Sequence, residues 1–145
     1  LRANQLDNLI TVCPNCHHKI ELAEATCTAL QSLSYLIGNL ASLFVMCDPS
    51  DLATIGEIQS SYTRLPTITL YERVPGGTGL VEELFEHHAE LLQMAAGRIR
   101  ECVCERGCPA CVGPVDEAVM ERDLKKDTLR LIDVMIGSPE RAGAA

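Results

Sequence analysis

Four of the cysteines in this 145-residue chain lie within one stretch of ten residues, and thiols at such density are typical of a metal site. Cys102, Cys104, Cys108 and Cys111 follow the spacing C-x-C-x3-C-x2-C, and four soft thiolates suit a tetrahedral Zn²⁺. A closed shell of four thiolates leaves no open position for water, so the pattern predicts a structural zinc and not a catalytic one. A redox dithiol or plain buried cysteines are the competing interpretations, although a redox pair needs only two thiols.

The residues around this cluster also fit a zinc knuckle. Gly113 follows the last cysteine closely, and glycine can take the positive φ that such a turn needs. Four thiolates on one Zn²⁺ leave a net charge of about −2. Three arginines are close enough in sequence to offset that charge: Arg98, Arg100 and Arg106. We expect the metal to fasten the helix that precedes the cluster to the helix that follows it.

A second cysteine pair lies near the start of the chain. The segment from Leu9 through Cys13, Cys16 and His17 resembles the second half of an HNH-type finger. The catalytic histidine and the other cysteine pair of that finger would lie upstream of this chain, so no nuclease activity is carried over. Cys13, Cys16 and His17 are a possible second metal site, for which His18, Cys27 or residues outside the chain could supply the remaining ligands. A finger remnant that only holds shape is the simpler interpretation.

Composition argues against a nucleic-acid binding module. Twelve Lys and Arg against twenty Asp and Glu give a net charge of −8, which repels a phosphate backbone. Trp is absent, with three Tyr and two Phe, so few aromatic platforms exist for stacking bases. The only lysine pair, Lys125 and Lys126, lies between Asp123 and Asp127 and is interpreted as a solvated helix face. We expect this chain alone to bind DNA only weakly.

A long uncharged helix is predicted from Ala25 to Cys47, because apolar residues recur there at alternating spacings of three and four. Asp48 and Pro49 should end it, since the residue before a proline avoids the helical region. A membrane span is the alternative, but Gln31 and several serines are costly in lipid and no basic cluster flanks the segment. A central helix covered by the rest of the domain is therefore favoured, and no membrane partner is expected.

The remaining pattern predicts an α+β fold that is mainly helical, with three principal helices, a short β element and a zinc knuckle. Residues 50 to 66 have little periodicity and are predicted to form a loop or short turns. Alternation favours a strand with Ile68 and Leu70 on its buried face. The other predicted elements are a short β-prone run at Leu9–Val12, a strand at Thr67–Tyr71, a helix at Leu80–Arg100, and a helix at Asp116–Ile136 with Asp116 as N-cap.

The glycine-rich turn Pro75–Gly79 opens the second predicted helix, and a helix N-terminus can bind anions. It lacks the Lys-Ser/Thr ending of a nucleotide-binding loop, and Glu82 and Glu83 would repel phosphate. Tight strand-to-helix packing is the favoured interpretation. His87 and His88 are interpreted as an ordinary helix pair, because adjacent helical positions diverge.

Several motifs in order resemble one known family. They are Leu43–Asp48, Leu65–Tyr71, Pro75–Leu80, Leu84–Glu86 and Cys102–Pro114. Together they look like the MrfA-type zinc-binding domain at the C-terminus of bacterial DEAD/DEAH-box helicases. The resemblance implies zinc ligation by the four clustered cysteines and a parent protein that is an ATP-driven DNA translocase in DNA repair or defence.

We expect three regions: a partial HNH-like knuckle and lead-in at 1–24, the zinc-binding helicase-associated domain at 25–136, which the MrfA-type resemblance covers, and a flexible tail at 137–145. The chain contains neither a Walker A lysine motif nor a DEAH box. It is therefore expected to be a non-enzymatic piece of a longer cytoplasmic protein, partnered by the motor domains of the same polypeptide. A free-standing zinc module for protein interaction and a remnant HNH nuclease are the alternatives.

Overall fold

The computed structural model describes residues 9–11, 24–114 and 122–137, and within them the predicted α+β, mainly helical fold is confirmed. The predicted second site at Cys13, Cys16 and His17 lies outside the described residues, as does the tail from 138 to 145. In chain order the elements are β1 (Leu9–Thr11), α1 (Glu24–Phe44), β2 (Leu52–Glu57), β3 (Thr67–Glu72), α2 (Leu80–Glu86), α3 (His88–Glu101) and α4 (Leu124–Gly137).

The three strands form an antiparallel sheet in the order β1-β3-β2. The central strand β3 buries Ile68 and Leu70, as its alternation predicts. The edge strand β2 falls in the segment 50–66 predicted to form a loop or short turns; the prediction is wrong for Leu52–Glu57, whereas residues 58–66 do form turns. Small residues such as Gly56 weaken the alternation of β2, and pairing with β3 supplies the order that its own sequence does not show.

Helix α1 lies at the centre of the fold and packs against α4, β2 and α3. It buries Leu30, Leu33 and Ile37 completely or nearly so, which explains why the segment carries no charge. The helix ends three residues before the predicted end, because Met46 takes a left-handed φ of 51° and the Cys47 N–H donates to Ser42 O at 3.0 Å. This is a left-handed C-cap, and it precedes Pro49.

The contact between α1 and β2 is unusually close. A Cβ on Gly38 would lie 2.7 Å from Thr54 Oγ1, and that hydroxyl donates to Ser34 O at 3.1 Å. Small residues therefore let the helix rest directly on the edge strand. No helix in the described ranges is long and apolar enough to cross a membrane.

The helix predicted from Leu80 to Arg100 is divided in two at His87, whose φ of −106° and ψ of 21° leave the helical region. A single straight helix would place all of its apolar residues on one face, which could not pack against both the sheet and the other helices. The break lets α2 pack on β3 while α3 packs on α1 and α4. Sequence periodicity runs almost unchanged through the break, which is why it predicts one helix.

The last helix also begins later than predicted. Arg122 and Asp123 are not helical, and Asp123 Oδ1 accepts the Lys126 N–H at 3.1 Å, so Asp123 is the N-cap of α4. The predicted cap, Asp116, lies outside the described residues. Helix α4 buries Leu131 in the main core and Leu124 in a smaller cluster with Cys111 and Val112.

Candidate metal centre

The four clustered cysteines converge on one point between α3 and α4. Their sulfur atoms all lie within 4.8 Å of one another. The Sγ atoms of Cys102 and Cys108 are 3.6 Å apart, and those of Cys104 and Cys111 are 3.5 Å apart. All four are free thiols. A tetrahedron with Zn–S bonds of about 2.3 Å has edges of about 3.8 Å, so this spacing fits a zinc ion well.

Local backbone geometry brings the thiols together. Cys102 directly follows α3, where its extended φ of −69° and ψ of 127° turn the chain out of the helix. The N–H groups of Cys111 and Val112 both donate to Cys108 O at 3.0 Å, which closes a tight turn. Within that turn the Cys108 N–H donates to Cys111 Sγ at 3.4 Å. This is the knuckle that the Cys-Pro-Ala-Cys segment predicts.

Two glycines with positive φ hold the loop in place. Gly107 has φ 135°, and a Cβ there would lie 2.7 Å from Val112 Cγ2. Gly113 has φ 85°, as its position predicts, and a Cβ there would lie 2.8 Å from the ring of Tyr35 on α1. The loop is thus closed on itself and against the central helix.

The thiols sit in different electrostatic environments. Cys111 is fully buried, and burial raises its pKa to about 12. Burial also raises the pKa of Cys104, whereas a backbone hydrogen bond from Cys104 is the main cause that lowers the pKa of Cys102 to about 7. Four thiolates so close together repel one another, so the cluster can ionise fully only when a cation is bound.

Lys125, which the sequence predicts to lie on a solvated helix face, contacts this centre. Lys125 Nζ donates to the backbone carbonyls of Cys102 at 2.6 Å and Cys104 at 2.9 Å. The solvated interpretation holds for exposed Lys126 but is wrong for half-buried Lys125. The one hint in the sequence is that a lysine in the first turn of a helix faces the unfavourable end of the helix dipole and needs a compensating partner.

Of the three arginines predicted to offset the charge of the cluster, Arg100 has an ion-pair partner in the structure. Arg100 Nη2 lies 3.4 Å from Asp133 Oδ1, an exposed ion pair that joins α3 to α4. For Arg98 and Arg106 the proposed role at the cluster stays a prediction.

The glycine-rich turn before α2 already holds an anion from the chain itself. The carboxylate of Glu72 accepts the N–H of Thr78, the hydroxyl of Thr78 at 3.1 Å and the N–H of Val81 at 3.1 Å. Burial acts to raise the pKa of Glu72, but these hydrogen bonds outweigh it and lower the pKa. This arrangement supports the packing interpretation of the turn.

The histidine pair also makes ordinary contacts. His87 Nδ1 lies 2.5 Å from Glu90 Oε2, and His88 Nδ1 lies 2.7 Å from Phe85 O. In the part of the chain that the structure describes, the four cysteines are the one group of side chains placed to hold a metal ion.

Comparison with known proteins matches this centre to a family. The family model described as the MrfA Zn-binding domain matches residues 33–112, which include all four clustered cysteines. The uncharacterized ATP-dependent helicase YprA of Bacillus subtilis is 35% identical over 106 residues, covering 73% of this chain and 14% of that protein. The crystal structure of the DUF1998 helicase MrfA bound to DNA is similar with a TM-score of 0.71 and 31% identity, covering 80% of this chain and 16% of that chain.

Another relative is not named as a helicase. The uncharacterized protein MJ1572.1 of Methanocaldococcus jannaschii is 38% identical over 45 residues, which cover 31% of this chain and 40% of that protein. The chain thus spans only 14% of the YprA protein and 16% of the MrfA chain in the crystal structure, whereas the shared stretch makes up 40% of the archaeal protein.

Proposed function

The chain belongs to the MrfA Zn-binding domain family, and from that premise we propose that it is the structural zinc domain of an ATP-dependent superfamily 2 DNA helicase. The observation that carries the proposal is the convergence of four sulfurs within 4.8 Å inside the matched region. The proposed ligands are Cys102, Cys104, Cys108 and Cys111.

The proposed role of the metal is to hold structure. Bound zinc would supply the positive charge that lets four neighbouring thiols ionise together. The chain's own residues do the rest: the Cys108–Cys111 turn directs an N–H at sulfur, and Leu124 packs with Cys111 and Val112. Because α3 enters the cluster and α4 packs on it, metal binding would join these two helices.

The catalytic work of the whole protein is proposed to lie elsewhere in the polypeptide. The chain lacks the Walker A lysine and the DEAH box, so it would not hydrolyse ATP by itself. Its relatives named as ATP-dependent helicases are several times longer, which leaves room for a motor. The domain would brace that motor, and with a net charge of −8 it would contact DNA only weakly by itself.

The biological setting follows from the same proposal. A helicase of this kind would act in DNA repair or defence, in a reducing cytoplasm that keeps thiols available for zinc. We place the folding unit at residues 25–136, after the knuckle at 1–24 and before the tail at 137–145. Cys13, Cys16 and His17 are a possible second metal site. For this segment we propose the simpler interpretation, the remnant of a nuclease finger that only holds shape.

A second candidate function is a free-standing zinc module for protein interaction. The archaeal relative favours it, because the shared stretch makes up 40% of that protein and leaves little room for a motor. The gene sequence upstream of Leu1 separates the two candidates. Helicase motifs there support the first candidate, and their absence supports the second.

The direct test is metal content by inductively coupled plasma mass spectrometry on the purified chain. We expect at least one zinc per chain, and the loss of one zinc in Cys104→Ser and in Cys108→Ser. Cys47→Ser is the matched control, since Cys47 is a half-buried free thiol outside the cluster and should leave zinc content unchanged. Equal zinc content in all variants, or none in the wild type, would exclude the proposal.

A further inference from the structure

Lys125 reaches across from α4 to the metal loop. Its ammonium group donates to Cys102 O at 2.6 Å and to Cys104 O at 2.9 Å, and its own backbone N–H donates to Arg106 O at 3.0 Å. One residue therefore fixes three carbonyl groups of the Cys102–Arg106 segment. That segment carries two of the four thiols.

The charge of Lys125 has a second consequence. Four thiolates and one Zn²⁺ carry a net charge of about −2, which is costly to keep in a partly buried site. A lysine on the surface of a helix would lose little by pointing into water, yet this one is half-buried and bonded to the backbone beside two thiols. It also lies at the end of α4 where the helix dipole disfavours a cation. Negative charge at the loop compensates for that position.

We propose that Lys125 is a positioning residue of the metal centre, which holds the Cys102–Cys104 arm in place and offsets the charge of the four thiolates. This inference rests on the proposed zinc function. Lys125 binds no metal; it acts through the cysteines by fixing their backbone and by its field. Its removal should leave two carbonyl groups without their donor beside a less compensated anionic cluster.

The same contacts couple the metal to α4. Leu124, the neighbour of Lys125, is buried against Cys111 and Val112. The first turn of α4 is thus attached to both parts of the metal loop: by hydrogen bonds to the Cys102–Cys104 arm, and by apolar packing to Cys111 and Val112. Zinc occupancy should therefore protect the amides of α4 from exchange, and Lys125 should transmit part of that protection.

The experiment compares Lys125→Met with Lys126→Met, the matched control one position along the same helix turn. Lys126 is exposed, and its substitution removes the same charge from the chain. Zinc transfer from each purified protein to a chromophoric chelator gives the release rate and the apparent affinity. We expect Lys125→Met to weaken zinc binding by about 10- to 100-fold, as is typical when a hydrogen bond that holds a metal-ligating residue is lost, and Lys126→Met to match the wild type.

Two further variants separate charge from hydrogen bonding. Lys125→Gln keeps a donor but loses the charge, and Lys125→Arg keeps the charge with a different shape; both should release zinc at rates between those of wild type and Lys125→Met. Hydrogen exchange should show faster exchange across α4 in Lys125→Met with zinc present, and no change in Lys126→Met.

Zinc release from folded Lys125→Met at the rate of Lys126→Met would overturn the inference. Should Lys125→Met fail to fold, Lys125→Gln takes its place, and release from it at the Lys126→Met rate would overturn the inference equally. Failure of the proposed function looks different, because the wild-type chain would then purify without zinc and fail to bind it when zinc is added.

Discussion

Gly113 lies so close to Tyr35 that a Cβ on the glycine would approach the aromatic ring to 2.8 Å. The contact joins the end of the metal loop to the central helix α1, far away in sequence. Two separate constraints thus require glycine at this position: the lack of space for a Cβ and the positive φ of 85°. The fold around the metal centre therefore depends on a residue with no chemical role.

Gly113→Ala should destabilise the chain by about 2 to 3 kcal/mol, because left-handed backbone costs roughly 1 kcal/mol or more and the overlap with Tyr35 adds strain. Denaturant unfolding with zinc present measures the effect. Gly97→Ala is the control: apart from the neighbouring residues and backbone of α3 itself, a Cβ at Gly97 would have no described atom within 4 Å, and in the interior of α3 the substitution should stabilise by about 0.5 to 1 kcal/mol. Equal stability of Gly113→Ala and wild type would contradict the contact.

Glu72→Gln should destabilise the chain by about 1 to 2 kcal/mol at neutral pH, because a carboxylate accepts the N–H groups of the glycine turn more strongly than an amide. The folded pKa of Glu72 lies below its ordinary value, so the native state binds fewer protons and its stability rises with pH. The wild type should therefore exceed Glu72→Gln in free energy of unfolding by the full amount above the ordinary pKa of a glutamate. This difference should disappear as the pH falls through the lowered pKa of Glu72 in the folded state.

Chemical unfolding across the acid range checks this window. Glu86→Gln is the control, since Glu86 is exposed at the end of α2 and should change stability by less than about 0.5 kcal/mol at every pH. A difference between Glu72→Gln and wild type that persists unchanged in acid would show that ionisation of Glu72 plays no part.

Thr128→Val should leave the chain as stable or make it more stable by up to about 1 kcal/mol. The Thr128 hydroxyl is buried and makes no hydrogen bond to any described residue, so valine of nearly the same shape removes an uncompensated polar group. Thr67→Val is a useful contrast, because Thr67 Oγ1 donates to Leu65 O at 2.9 Å and its loss should destabilise. Calorimetric melting that ranks the two variants the other way would refute this account of Thr128.

The purified chain should bind single- or double-stranded DNA only weakly, since its net charge is −8. We expect a Kd of about 10⁻⁴ to 10⁻⁶ M or higher at physiological salt. Fluorescence anisotropy over a range of salt concentrations measures this affinity. The triple substitution of Arg98, Arg100 and Arg106 by Ala should lower stability, in part through loss of the Arg100–Asp133 pair, with the salt slope unchanged. Sub-micromolar binding lost in the triple variant would indicate a DNA-binding module.

The sequence predicts those features that depend on local pattern. The cysteine spacing, the uncharged run of α1 and the alternation of β3 each reflect a single dominant constraint, and each prediction agrees with the structure. The positive φ of Gly113 follows from the knuckle in the same way.

What the sequence does not predict depends on contacts between distant segments. Strand β2 is ordered by pairing with β3, and the break at His87 serves two different packing partners. The role of Lys125 arises only when α4 is docked on the loop, because the residue is 21 positions beyond Cys104. Neither propensity nor periodicity contains such information.

A closed site of four thiolates is tested best by X-ray absorption spectroscopy at the zinc edge on Cys13→Ser/Cys16→Ser, a variant that lacks the other close cysteine pair. We expect four sulfur neighbours at about 2.3 Å and no nitrogen or oxygen bound to the zinc. A shell with an oxygen or nitrogen neighbour, or with fewer than four sulfurs, would contradict a closed structural site formed by Cys102, Cys104, Cys108 and Cys111.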